Sequence, residues 1–170
     1  MNRPFLLIID GMTGVGKTTT SKILAEKITR MAIIGMDKVK RFISDFERGQ
    51  RDNQIARDVV FVMAEKYFDH GISVIVEQPF RSDEDLKKFE DLARRCSFPV
   101  YKVQLFTTPE TALKRIQNRQ ANLEDKLTEE RISRNIGLFE NRAHNGFVVV
   151  DTSNISSLEV ANKIMDILNS

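Results

Sequence analysis

Residues Gly11-Met12-Thr13-Gly14-Val15-Gly16-Lys17-Thr18 repeat the spacing Gly-x-x-x-x-Gly-Lys-Ser/Thr, in which each part has a chemical use. Glycines let backbone N–H groups turn toward a phosphate, and a helix that begins at Lys17 points its positive end at the same place. The lysine can reach the β/γ-phosphates, and the Thr18 hydroxyl can hold Mg²⁺, with Thr19 beside it in the first helical turn. The pattern predicts binding of a nucleoside triphosphate, with Mg²⁺, by residues 11–19.

Further groups fall where strands end. Asp37 follows the apolar run Met31–Ile34 by three residues. A carboxylate there can take the proton of an attacking hydroxyl, which makes Asp37 a candidate base or acceptor ligand. Aspartate also caps helices, so Asp37 can equally start the helix that follows. Glu77 closes the run Val74-Ile75-Val76 and can hold the metal, its water or the substrate. Arg81, four residues on, can bind an anionic group of the acceptor or be a solvated helix-start arginine. Arg115 and Arg119 share one helix face at i,i+4. Gln120 to Thr128 is polar and acidic, which reads as a short flap, or lid, over about 118–130. The helix carrying Arg131 and Arg134 stands at its far side. An arginine closing on the site would supply positive charge to a phosphoryl transition state. Asp151-Thr152-Ser153-Asn154 is a turn able to contact a purine, or a plain capping loop.

These residues need elements to position them. Five apolar runs, Phe5–Ile9, Met31–Ile34, Ile72–Val76, Val100–Phe106 and Phe147–Val150, alternate with helical patterns, which predicts βαβ units around a parallel sheet. Helices should cover both faces, and ligands should sit at the carboxyl ends of the strands. The stretch from Lys38 to about Gly71 reads as two helices broken near Gly49. The second should carry Ile55, Val59, Val62, Met63 and Tyr67 on its apolar face. Ser82 should cap a helix, Pro109 should open another, and Ser156 or Ser157 should start the last. That last helix should present Leu158, Val160, Ile164, Ile167 and Leu168 to the core.

Composition narrows the function. At 170 residues the chain suits a single domain over 1–170 with a good core. A formal charge of +2 argues against nucleic acid as a partner, which would call for a basic stripe. Cys96 is the only cysteine, so no intrachain disulfide can form; His70 and His144 lie far apart without metal-ligand spacing. The apolar stretch near the N-terminus is short for a signal core, and no run nears the ~18 apolar residues of a membrane span. A cytoplasmic protein, monomer or homodimer, with a small-molecule partner is expected.

Taken together, Gly11–Thr18, Asp37, Glu77-x-x-x-Arg81, Arg115/Arg119 and Asp151-Thr152-Ser153 resemble the small phosphate-loop kinases of the nucleoside monophosphate kinase-like group. The likeness is to its small-molecule branch, with gluconate kinase, shikimate kinase, chloramphenicol phosphotransferase and the AAA-domain kinases. The resemblance implies the three-layer α/β/α phosphate-loop NTPase fold, with a five-stranded parallel sheet in order 2-3-1-4-5 and ATP·Mg²⁺ as donor. It implies Asp37 at the acceptor or base position, Arg115 stacked on adenine, Arg119 as the lid arginine on the phosphates, and residues 151–155, Thr152 among them, as the adenine loop. Glu77 departs from the commoner Asp, and the flap is shorter than an adenylate kinase lid. The functional alternative is a nucleotide-binding or ATPase module acting on a macromolecular partner.

Overall fold

A computed structural model of the chain describes residues 3–47, 49–80, 82–120, 129–137 and 146–170. Five strands, β1 (Leu6–Asp10), β2 (Met31–Ile34), β3 (Ser73–Glu77), β4 (Val100–Phe106) and β5 (Val148–Asp151), form one sheet in the order β2-β3-β1-β4-β5. All four pairings are parallel, as the resemblance implied. Residues 6–9 of β1 are wholly buried, because both of its faces are covered. Burying each such Leu or Ile contributes ~1.5–3 kcal/mol, which is why a continuous apolar run, not an alternating one, marks this central strand.

The period-two geometry of the strands divides the core. Leu7, Ile9, Ile75, Val103 and Leu105 face α1 (Lys17–Lys27), α5 (Pro109–Gln120), α6 (Glu129–Gly137) and α7 (Ser157–Asn169). Leu6, Ile8, Ile34, Val74 and Val76 face α2 (Met36–Lys40), α3 (Gln50–Asp69) and α4 (Asp83–Arg95). So β1 feeds a helix on one face while its neighbour β3 feeds one on the other. Their connections part above the sheet edge, which is where an open α/β sheet takes its ligand.

Helix termini follow the expected chemistry in most places. The Ser82 side chain caps α4 and accepts from Asp85 N at 3.2 Å. Ser156 and Glu159 form a reciprocal capping box at α7. Two expectations about faces are overturned. In α3 the buried stripe is Ala56, Val60, Ala64 and Phe68, while Ile55, Val59 and Val62 are exposed and Met63 and Tyr67 only half-buried. The alanines let the helix approach the sheet closely, so small size decides the face over hydrophobicity. In α7, Leu158 is exposed, and Ala161 takes a core position beside Val160, Ile164 and Leu168. Among the described residues, no helix is long and apolar enough to cross a membrane.

Candidate functional site

The loop from Asp10 to Lys17 is shaped by backbone needs that only glycine meets. Gly11 has φ +141°, and a Cβ there would come within 2.4 Å of the Leu105 carbonyl oxygen. Gly14 has φ +90° and would meet the Ala112 carbonyl oxygen at 2.7 Å. The side chains of Met12 and Val15 are buried in the core, so these two residues offer only their main chain to a ligand. Asp10, fully buried, accepts from Gly11 N at 2.7 Å and Phe80 N at 3.2 Å, tying this loop to the connection after β3. Lys17 Nζ folds back over the loop and donates to the carbonyls of Gly11 (2.6 Å) and Met12 (2.9 Å).

Gly16 caps α1 in the left-handed region, with no side-chain cap and no acidic residue in the first turn. The first N–H groups and the positive end of α1 are therefore offered outward. Thr18 and Thr19 are exposed at this end. Thr18 Oγ1 lies 3.4 Å from Glu77 Oε1, the geometry of a weak hydrogen bond. Glu77 is buried, and its Oε2 has no hydrogen-bond partner among the described residues. The structure thus brings Thr18 and Glu77 together from two separate stretches of the sequence.

Two lysines that drew no attention in the sequence belong to this edge. Lys38 Nζ stands 3.0 Å from Glu77 Oε1 and is 42% exposed. Lys40 is buried; its Nζ donates to Asn53 Oδ1 at 2.9 Å and lies 3.3 Å from Asp37 Oδ1. Asp37 itself is 84% exposed at the open side. It is not the helix cap that its type allowed. The cap of α2 is Gly35, and Asp37 is the second residue of the helix, in its first turn. Gly35 presses on β3, where a Cβ would reach the Glu77 carbonyl oxygen within 2.5 Å, and the helix starts at Met36, one residue before Asp37. An i,i+3 check from Asp37 along the helix would have found Lys40; nothing local could have paired Lys38 with Glu77.

On the other side of the loop, Arg115 is pinned to the turn after β5. Its Nη1 donates to Thr152 Oγ1 at 3.1 Å and its Nη2 to the Thr152 carbonyl at 2.7 Å. The buried Thr152 hydroxyl in turn donates to the Val15 carbonyl at 3.2 Å. Asp151 accepts from Ser153 N at 2.8 Å, and hydrogen bonds from Ser153 hold its carboxyl below the usual aspartate value. Arg81, the Arg119 and Arg131 side chains, and residues 121–128 of the expected flap lie outside the described residues. Arg134 is exposed and reaches Glu130 at 3.6 Å across one helical turn.

With this geometry in view, the comparisons with known proteins point one way. The sequence profile of a family described as "AAA domain" matches residues 6–142. No curated protein sequence matches the chain. Among solved structures, a candidate kinase from Chloroflexus aurantiacus is similar at TM-score 0.77 and 21% identity, over 99% of this chain and 98% of that one. The APS kinase of Mycobacterium tuberculosis, in complex with AMPPNP and APS, is similar at TM-score 0.73 and 16% identity, over 99% of both chains. A gluconokinase from Sinorhizobium meliloti follows at TM-score 0.70 and 15% identity, over 99% of this chain and 94% of that one. At such identities the likeness is one of fold.

Proposed function

The chain belongs to the AAA-domain family, and on that premise we propose that it is an ATP-dependent kinase that moves the γ-phosphate to a hydroxyl, or a phosphate, of a small molecule. The observation that carries this reading is the open, uncapped end of α1, with Lys17 folded over the glycine loop and Thr18 set against the buried carboxylate of Glu77. A helix end without cap or acid favours an anion, and the glycine loop lets its N–H groups approach closely.

In this reading the backbone of residues 11–16 cradles the phosphates and Lys17 exchanges its carbonyl partners for the β/γ-phosphates. The Thr18 hydroxyl and the unpartnered Glu77 oxygen are a hard oxygen pair of the kind Mg²⁺ takes, together with waters and phosphate. Bound there, Mg²⁺ would neutralise charge on the phosphate oxygens. Lys38 adds a cation at the same edge. Arg115 and Thr152 form the rim for the base, Arg119 closes on the transition state from the lid, and Arg81 meets the acceptor. Asp37 takes the proton of the attacking hydroxyl as its oxygen bonds to phosphorus, while the bond to the leaving ADP oxygen breaks.

A melting experiment tests the donor. Mg·ATP should stabilise the folded protein more than either component alone, by ~2.7 kcal/mol at a concentration 100 times Kd. No shift with any common nucleoside triphosphate would overturn the reading. A screen of hydroxylated metabolites, nucleosides and antibiotics for acceptor-dependent ADP release tests the transfer. If a protein partner raises ADP release and no small molecule does, the chain is an ATPase module instead.

A further inference from the structure

The residue after Glu77 opens a second feature. Strand alternation turns Gln78 to the opposite face of the sheet, between α3 and α4, where it is only 3% exposed. Its carboxamide hydrogen-bonds to none of the described residues, and its Oε1 is fully buried. Gln78 lines a cavity of about 170 Å³ between these two helices. At ~30 Å³ per water, this holds a ligand the size of about six waters, close to a single sugar ring.

The walls say what the ligand is. Phe61 and Phe89, in edge-to-face contact at 5.5 Å, give an apolar wall on which a ring can lie. Around the rim, Arg57 and Lys88 are offset by Asp58 and Asp85, so no net charge selects an ion. The rim groups are largely engaged with one another: Arg57 Nη2 donates to Gln54 Oε1 and Gln54 Nε2 to Asp58 Oδ1, each at 2.9 Å, while Lys88 lies 3.9 Å from Asp85. The amide of Gln78 stands apart from these pairs. An amide offers one acceptor and two donors side by side, the complement of a hydroxyl, which both donates and accepts. From these observations we infer that the cavity is a binding site for a small uncharged hydroxylated molecule, whose hydroxyl pairs with Gln78. The lining includes none of Lys17, Asp37 or Glu77, so the inference stands apart from the kinase reading.

Binding is to be measured by saturation-transfer NMR and calorimetry with D-glucose, myo-inositol and adenosine as probes, against D-gluconate and glucose 6-phosphate. The wild type should bind at least one neutral probe. Gln78→Leu should weaken it tenfold or more, while the melting temperature holds or rises because a buried unpartnered amide has gone. The Mg·ATP shift should be unchanged, which shows an intact fold and donor site. Arg57→Met, at the rim, should weaken the probe less. Equal binding of every probe by wild type and Gln78→Leu overturns the site, and preference for the two acidic probes overturns the chemical class. A wild type that binds a neutral probe but shows no Mg·ATP shift upholds the cavity and removes the kinase reading.

Discussion

Two strand-to-helix connections lie side by side at the same edge of the sheet, and they are built on opposite plans. After β1, the loop is braced from within: Asp10 accepts from Gly11 N, Lys17 bonds to two of the loop's carbonyls, and Thr152 bonds to a third. What it leaves open is backbone, the uncapped end of α1. After β3, the helix end is closed by Ser82 and carries Asp83, Glu84 and Asp85 in its first turn, so it repels anions. What is left open there is side chain, one oxygen of Glu77 and the amide of Gln78. Backbone N–H groups recognise a phosphate whatever it is attached to. Side-chain groups held without partners at a cost of ~1–3 kcal/mol each discriminate among ligands. The first connection suits a common phosphate group and the second a particular ligand.

The largest expected effect probes the acceptor side. Asp37→Asn should keep the Mg·ATP shift and lose ~10²–10⁴-fold in transfer, the worth of a general base. Stability should scarcely move, since Asp37 is exposed and Lys40 keeps its bond to Asn53. Transfer at the wild-type rate would show that Asp37 merely pairs with Lys40. On the donor side, Lys17→Ala should lower turnover by ~10²–10³, because it removes one positive group from the transition state. The variant should melt near the wild type, since the two hydrogen bonds to Gly11 and Met12 that it loses lie within its own loop. An unfolded variant would mean that Lys17 braces the loop instead.

How much of this could be read from the sequence follows the same division. The glycine loop, Lys17 and Thr18 were legible because backbone shape is written in residue type at fixed spacing. Glu77 was legible as an acid at the end of an apolar run. Lys40 needed only its i,i+3 spacing from Asp37, whereas Lys38 and Gln78 were not legible, since their meaning depends on what each side chain meets across the fold. The misread face of α3 has the same origin. That helix has two candidate stripes, and a hydrophobicity count prefers Ile55, Val59 and Val62 to the alanine-bearing stripe that packs. Close approach to a sheet is a tertiary demand, and it overrides local pattern.

Glycine substitutions sharpen the backbone half of the comparison. Gly16→Ala meets no atom within 4 Å and should cost only the left-handed strain, ~1–2 kcal/mol. Gly11→Ala adds overlap with the Leu105 carbonyl, worth a further ~1–3 kcal/mol for overpacking. Chemical denaturation of the two variants measures the gap, and equal losses would mean that the loop can retreat from β4.

The smallest effect concerns a helix end that is closed on itself, the start of α7. Ser156 accepts from Glu159 N at 3.2 Å, and Glu159 Oε2 accepts from Ser156 N at 2.8 Å. The Ser156 hydroxyl also donates to Glu159 Oε2 at 2.7 Å, and this bond, with the one from Ser156 N, holds the Glu159 carboxyl below its ordinary value. A carboxyl lowered on folding stabilises above its unfolded pKa, and the contribution fades as pH falls through the folded value. Ser156→Ala should therefore cost ~1 kcal/mol at neutral pH, the usual worth of such a cap. The cost should shrink as pH drops below the ordinary glutamate range, because the wild type is then losing the Glu159 half of the box. Ser82→Ala, where the serine acts without a reciprocal partner, should show no such narrowing relative to the wild type. Thermal melts of both variants from pH 7 to pH 3 make the comparison. Parallel losses at every pH would mean that Glu159 adds nothing to the cap. The same melts repeated with Mg·ATP should show both variants still stabilised, since an anion needs the open end of α1 and not either of these closed ones.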